Sequence, residues 1–327
     1  MLSRTADHLF WMARYIERAE NTARMLDVTV QTLLLPQSDA ETERSWRSML
    51  GISELLPMFE ATHGNRFNSS DVLDFMVRNP ENPSSIYSCL QAARENARAV
   101  RGALTTEVWE AHNDTWLELQ RLLRDNLLGR EPSQFFEWVK FRSHQSRGVT
   151  IGTMLKDEAF WFIRLGTHLE RADNTARIID VKFHGNSDLL PLHYSGRNRA
   201  IGDHEAQRDF YHWAAVLRST SAFEVYRKVY RDVITPERVA GLLILHPGMP
   251  RSLAYCLNEV VDNLRQVSNA QSRETERRAG QLAAELEFGR IDDVFSTGLH
   301  AYLTGFLEKC AELGNRISRD FLVPITG

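Results

Sequence analysis

The sequence predicts an all-α fold, a helical bundle built from two duplicated halves related by a pseudo-twofold axis. Apolar residues recur at the helical step almost throughout, and no alternating β-branched run marks a strand. The stretch Glu17-Arg18-Ala19-Glu20-Asn21-Thr22-Ala23-Arg24 returns as Glu170-Arg171-Ala172-Asp173-Asn174-Thr175-Ala176-Arg177, in a register that holds without a gap through Val28 and Val181. A second match follows in the same order. Pro80 and Pro83 coincide with Pro247 and Pro250, and Ser85, Cys89, Leu90, Asn96 and Arg98 coincide with Ser252, Cys256, Leu257, Asn263 and Arg265.

The first element is a helix with two apolar sides. Leu9, Met12, Ile16, Ala19, Ala23 and Leu26 form one stripe, while Trp11, Tyr15, Thr22 and Met25 lie nearly opposite. Such a helix is buried on both sides. Glu17, Asn21 and Arg24, spaced i, i+4 and i+7, therefore project from a covered helix, and Arg18 points into the Trp11/Met25 side. Next come an apolar run over 45–59, interrupted by Pro57, and a short helix over 71–77 with Asp71 as its N-cap. Prolines 80 and 83 open a further helix. Residues 107–128 read as a long helix with Trp109, Trp116, Leu119 and Leu122 at core spacing, and the segment 129–133 breaks it. Another helix runs over 135–148. After the second copy, 268–288 reads as a charged helix and 292–322 as one long apolar-striped helix.

These elements predict one domain over 1–327. Its first repeat covers about 1–105, its connecting helices 106–153, its second repeat about 154–270 and its C-terminal helices 271–327. The spacing between the two copies is wider at the proline match than at the Glu-Arg match, which places an insertion within 182–208.

With 43% apolar and 25% charged residues and a net charge of −4, the chain has an ordinary globular composition. No Lys/Arg block predicts nucleic-acid binding, and no apolar run is long enough to predict a membrane span. The chain enters an amphipathic helix directly at its N-terminus, so the cytoplasm is the expected compartment. Cys89, Cys256 and Cys310 are too scattered for a zinc cluster or a disulfide framework and read as buried small hydrophobes. Phosphate loops and nucleophile elbows are missing. A di-metal carboxylate bundle needs Glu-x-x-His pairs, and Asp209-x-x-His212 is the one approach to that pattern. Neither cofactor nor metal is expected.

Charged groups on a covered helix must be paired, hydrogen-bonded or bound to something. Glu17, Arg18, Asn21, Arg24, Glu170, Arg171, Asn174 and Arg177 are thus the candidate polar site. One reading pairs Glu17 with Arg171 and Arg18 with Glu170 across the pseudo-twofold axis, purely to set register. The other lines a pocket, with a glutamate as acid or base and arginines holding an anion. Arg94 and Arg98 are secondary candidates, either a solvated face or an anion-accepting surface turned toward the Glu17 helix.

Trp11-Met12-Ala13-Arg14-Tyr15-Ile16-Glu17-Arg18-Ala19, with Leu169-Glu170-Arg171-Ala172, Arg94-Glu95-Asn96-Ala97-Arg98 and Gly298-Leu299-His300, resembles the bacterial alpha-E family across essentially the whole chain. That family is named for an all-helical domain carrying a Glu-Arg motif, which falls here on Glu17, Arg18, Glu170 and Arg171. Its members tend to be encoded beside, or fused to, an ATP-grasp protein and often a transglutaminase-like peptidase. The resemblance therefore implies an accessory or partner-binding role with an ATP-grasp-type ligase in peptide or amide-bond chemistry. A stand-alone enzyme or small-molecule binder is the alternative, and a homo-oligomer is compatible with either.

Overall fold

Residues 1–34, 38–185 and 203–322 are described by a computed structural model, with side chains over 1–34, 38–180 and 210–322. Among the described residues every regular element is helical. α1 (Ser3–Leu33) is buried on all sides through its middle: each residue from Ala19 to Asp27 is covered, the charged ones included. α2 (Asp39–Ile52) begins earlier than the apolar run suggests, because Ser38 and Glu41 form a capping box. Pro57 interrupts nothing. It stands in the first turn of α3 (Leu56–His63), where its missing N–H would have had no helical acceptor.

α4 (Ser69–Val77) is capped by Asn68, whose Oδ1 accepts from the Asp71 amide at 2.8 Å. Asp71, the expected cap, is instead a first-turn acid that favours the helix dipole. α5 (Ile86–Ala99) is capped by Ser85. α6 (Thr106–Arg124) stops short of Leu128 because Asn126 takes a φ of 52°. The short α7 (Leu127–Arg130) leads into α8 (Pro132–Thr153), longer at both ends than its apolar pattern, with Pro132 opening it. α9 (Glu158–Gly185) starts at Asp157, which accepts from the Ala159 amide at 3.0 Å.

Beyond α9 come α10 (Asp203–Ser219), α11 (Phe223–Tyr230) and α12 (Pro236–Ala240), the last continuing into a π-helical turn, Gly241–Leu245. α13 (Leu253–Gln266) is capped by Ser252 as α5 is by Ser85. Cys89 and Cys256 sit at corresponding places in these helices. Their thiols donate to the Pro83 and Pro250 carbonyls, and burial pushes each up to about 12, so both behave as core residues. α14 (Arg273–Glu287) begins late, since the Asn269 side chain folds 269–272 into a turn. The tail is two helices rather than one. α15 (Ile291–Thr297) and α16 (Leu299–Phe321) part at Gly298, whose φ of +92° an L side chain rarely adopts.

α1 packs most extensively on α9, then on α5 and α8, while α9 also meets α13, α2 and α16. Gly166 sets the closest approach of the central pair, because a Cβ there would lie 2.2 Å from the Phe10 carbonyl oxygen. A single cluster of buried apolar side chains runs from Ala6 to Leu322. Among the described residues no helix is long and apolar enough to cross a membrane. The insertion expected within 182–208 falls, for 186–202, outside the described residues.

Candidate functional site

The two Glu-Arg motifs meet crosswise where α1 and α9 pack. Arg171 donates to both oxygens of Glu17 from Nε and Nη2, each at 2.9 Å. Arg18 grips Glu170 in the same fork, at 2.6 and 3.1 Å. A planar guanidinium suits that two-point contact, and a lysine could not reproduce it. Arg14 adds a third bond to Glu170 at 2.7 Å, and Asn174 donates to its Oε1 at 3.3 Å. Burial works to raise the Glu170 pKa, but Arg14 and Arg18 outweigh it and hold the group at about 2.

The Glu17 side is larger. Glu17 also accepts from Arg147 of α8 at 2.9 Å and from Arg251 at 3.2 Å, and Arg251 reaches Asn21 at 2.9 Å. Glu20, fully buried, accepts from Arg24 at 2.6 Å, from Ser143 at 2.6 Å, and from Arg147 and Arg251. Burial alone would raise both carboxyls. Arg171 is the largest opposing influence on Glu17, and Arg251 on Glu20, and both groups end below the usual carboxylate range. Two carboxylates thus face four guanidiniums, those of Arg24, Arg147, Arg171 and Arg251. Burial, with Arg24 and Arg171 nearby, brings Arg251 down to about 10 despite its acidic neighbours. It remains protonated at neutral pH.

The remaining candidates are scattered around this centre. Arg24 also donates to Ser221 at 2.5 Å. Arg177 pairs with Asp173 at 2.8 Å and with Glu54 of the α2–α3 turn at 2.7 Å, away from the crossed forks. Arg94 and Arg98 do not turn toward the Glu17 helix. Glu95, adjacent on α5, holds both, and Arg94 reaches Asn113 of α6 at 3.1 Å while Arg98 is solvent-exposed. Among the described residues no three His, Cys, Asp or Glu side chains converge as metal ligands, and the Asp209 side chain lies outside them.

Beside the Glu17–Arg171 fork lies a cavity of about 170 Å³ bounded by α1, α6, α8, α9 and α13. Met12, Ala13, Ile16 and Ile163 supply apolar wall, and Arg147, Arg164 and Arg171 supply cationic wall. His112 and His168 line it too, each buried with an Nδ1 that has no protein partner. Burial holds both imidazoles neutral, His112 at about 4 and His168 well below its usual value. Ile151, more than half exposed at 56%, stands where the cavity opens to solvent.

A family model described as a predicted alpha-helical domain with a conserved ER motif matches residues 1–322. The chain belongs to the Alpha-E family. It is also similar to uncharacterised proteins of Mycobacterium bovis and Mycobacterium tuberculosis, 23% identical over 330 residues that cover 93% of this chain and 35% of each relative. The chain therefore spans about a third of the length of these curated relatives. No solved structure matches it significantly.

In this Alpha-E chain the motif residues are joined by four that the repeat alone does not flag as site residues: Arg14, Glu20, Arg147 and Arg251. Arg14 and Arg18 stand i, i+4 on one face, a readable sign of a shared anion. Arg147 and Arg251 carry no such sign, since they reach the centre only through the packing of α8 and the turn before α13.

Proposed function

We propose that this Alpha-E chain is an accessory helical protein working beside an ATP-grasp-type ligase in peptide or amide-bond synthesis or modification. A transglutaminase-like peptidase is a second candidate partner and the cytoplasm the proposed compartment. The fate of the motif glutamates carries this reading. Both oxygens of Glu17 and of Glu170 accept from guanidiniums, and both groups are held ionised. Neither has a proton to give near neutral pH, and neither is basic enough to take one, so general acid–base catalysis by these residues is disfavoured. The mycobacterial relatives support a unit that works next to another, since a chain of this kind makes up about a third of them.

The same reading includes an origin by duplication, with halves over 1–105 and 154–270 related by a pseudo-twofold axis inside one domain. The reciprocal forks, the matched Ser85 and Ser252 caps and the matched cysteine contacts support it. The test is affinity purification of the tagged chain from its native host after mild cross-linking, with an untagged control. An ATP-grasp-type protein should be enriched. If none is, and deleting the chain leaves the ligase product unchanged, the accessory role is wrong.

A further inference from the structure

We propose that the cavity beside the Glu17–Arg171 fork is a binding site for a small carboxylate with a short apolar body, its head held between Arg147 and Arg164 and its tail against Met12, Ile16 and Ile163. This site is independent of the ligase partnership and would exist in an enzyme as readily as in an accessory protein.

Charge is the first argument. The hydrogen-bonded network around Glu17 and Glu20 carries two more guanidiniums than carboxylates, and Arg24, Arg171 and Arg251 are themselves buried. Buried charge without a counter-charge is strongly unfavourable, and one bound anion would offset half of that surplus. Donor capacity is the second. Arg164 donates only through Nη2, to Glu259, and Arg147 only through its two Nη nitrogens. Among the described residues, Nε and Nη1 of Arg164 and Nε of Arg147 therefore meet no protein acceptor. Both side chains are about a quarter exposed, at 22% and 24%, so an incoming anion can reach them.

Shape and polarity select the class. Waters occupy roughly 30 Å³ each, so about 170 Å³ admits a small acid or the terminal residue of a chain that leaves through the open side. Its apolar wall would be left facing water by inorganic phosphate alone and is covered by an aliphatic tail. The unmet Nδ1 atoms of His112 and His168 offer further polar contacts to a bound molecule or its water. Such an acid exists free or as the C-terminal residue of a peptide, and the chemistry at the head is the same.

Calorimetric titration of the full chain with 4-methylpentanoate tests this, with 4-methylpentanamide as the uncharged control. The carboxylate should bind and the amide should bind at least about tenfold more weakly, the usual effect of losing a charge-assisted hydrogen bond. Arg164→Gln should weaken the carboxylate by a similar factor. Thr150→Met should abolish binding by filling the cavity, since the Thr150 hydroxyl bonds only its own helix. Arg98→Gln, remote from the cavity, should change nothing. Circular dichroism melts verify that each variant is folded. A leucine-terminated tripeptide, free or amidated at its C-terminus, separates the sources. Binding of the free form assigns the site to peptide ends, whereas binding of 4-methylpentanoate alone assigns it to free acids. Failure of the wild-type chain to bind either carboxylate, equal binding of acid and amide, or binding unaltered in both cavity variants overturns the proposal.

Discussion

Glu17 is held by more arginines than Glu170, its counterpart in the second Glu-Arg motif. Its oxygens take four bonds from three arginines on three separate segments, α8, α9 and the turn before α13. Glu170, in the corresponding place, is held by two arginines of one helix. The crossed forks are therefore alike in form and unequal in weight. Removing one member of a buried ion pair strands its partners and typically costs about 3–5 kcal/mol. Glu17→Gln should lose stability in that range by urea denaturation. Exchanging the pair, Glu17→Arg with Arg171→Glu, should fail to restore it, because an arginine at 17 would face Arg147 and Arg251. Full recovery in the exchanged protein would mean that the fork acts alone and that the surrounding guanidiniums contribute nothing.

At the level of helices, the crossing of α1 and α9 fixes everything else, and it depends on a missing side chain. A methyl group at Gly166 would sit 2.2 Å from the Phe10 carbonyl oxygen and 3.2 Å from Ala13 Cβ. Both obstacles are central and covered, so the helices would have to separate, and with them the Glu17–Arg171 and Glu170–Arg18 forks. Overpacking of this kind costs about 1–3 kcal/mol or more, and Gly→Ala inside a helix would otherwise gain about 1 kcal/mol. Gly166→Ala should lower the melting temperature, whereas Gly148→Ala on α8, with open space around it, should raise or preserve it. Much of this element scale is legible in the sequence. The repeated Glu-Arg stretch marks the two central helices, and the double apolar face of the first announces that it is covered. Ends are less legible. Asn68 rather than Asp71 caps α4, and Gly298 splits the tail, because caps and left-handed residues are decided by local hydrogen bonds that apolar periodicity does not record. Arg147 and Arg251 were not legible at all, since no local spacing ties them to Glu17. Their role follows from how distant segments pack.

Across the described residues, the two cavity histidines and the three central glutamates are all shifted downward, and that fixes how stability depends on pH in acid. His112 and His168 are covered and held neutral, His112 falling from 6.5 to about 4, and for His168 burial with Arg171 and Arg164 nearby outweighs Glu259 at 3.7 Å from its Nε2. Glu17, Glu20 and Glu170 are held ionised, Glu170 falling from 4.5 to about 2. In every case the unfolded chain binds the proton more readily than the folded one, so stability rises with pH and is lost in acid. Two windows follow. The histidine contribution is complete above about 6.5 and falls away toward about 4, and for His112 alone it amounts to about 3 kcal/mol. The carboxylate contribution is complete above about 4.5 and disappears toward about 2, with Glu170 adding about 3 kcal/mol. Urea midpoints measured from pH 7.5 downward should therefore begin to drop before any carboxylate titrates. His112→Gln should make the upper part of that slope shallower while leaving the lower part intact. A midpoint constant from pH 7.5 to 5 would show that these imidazoles are not held neutral in the folded chain.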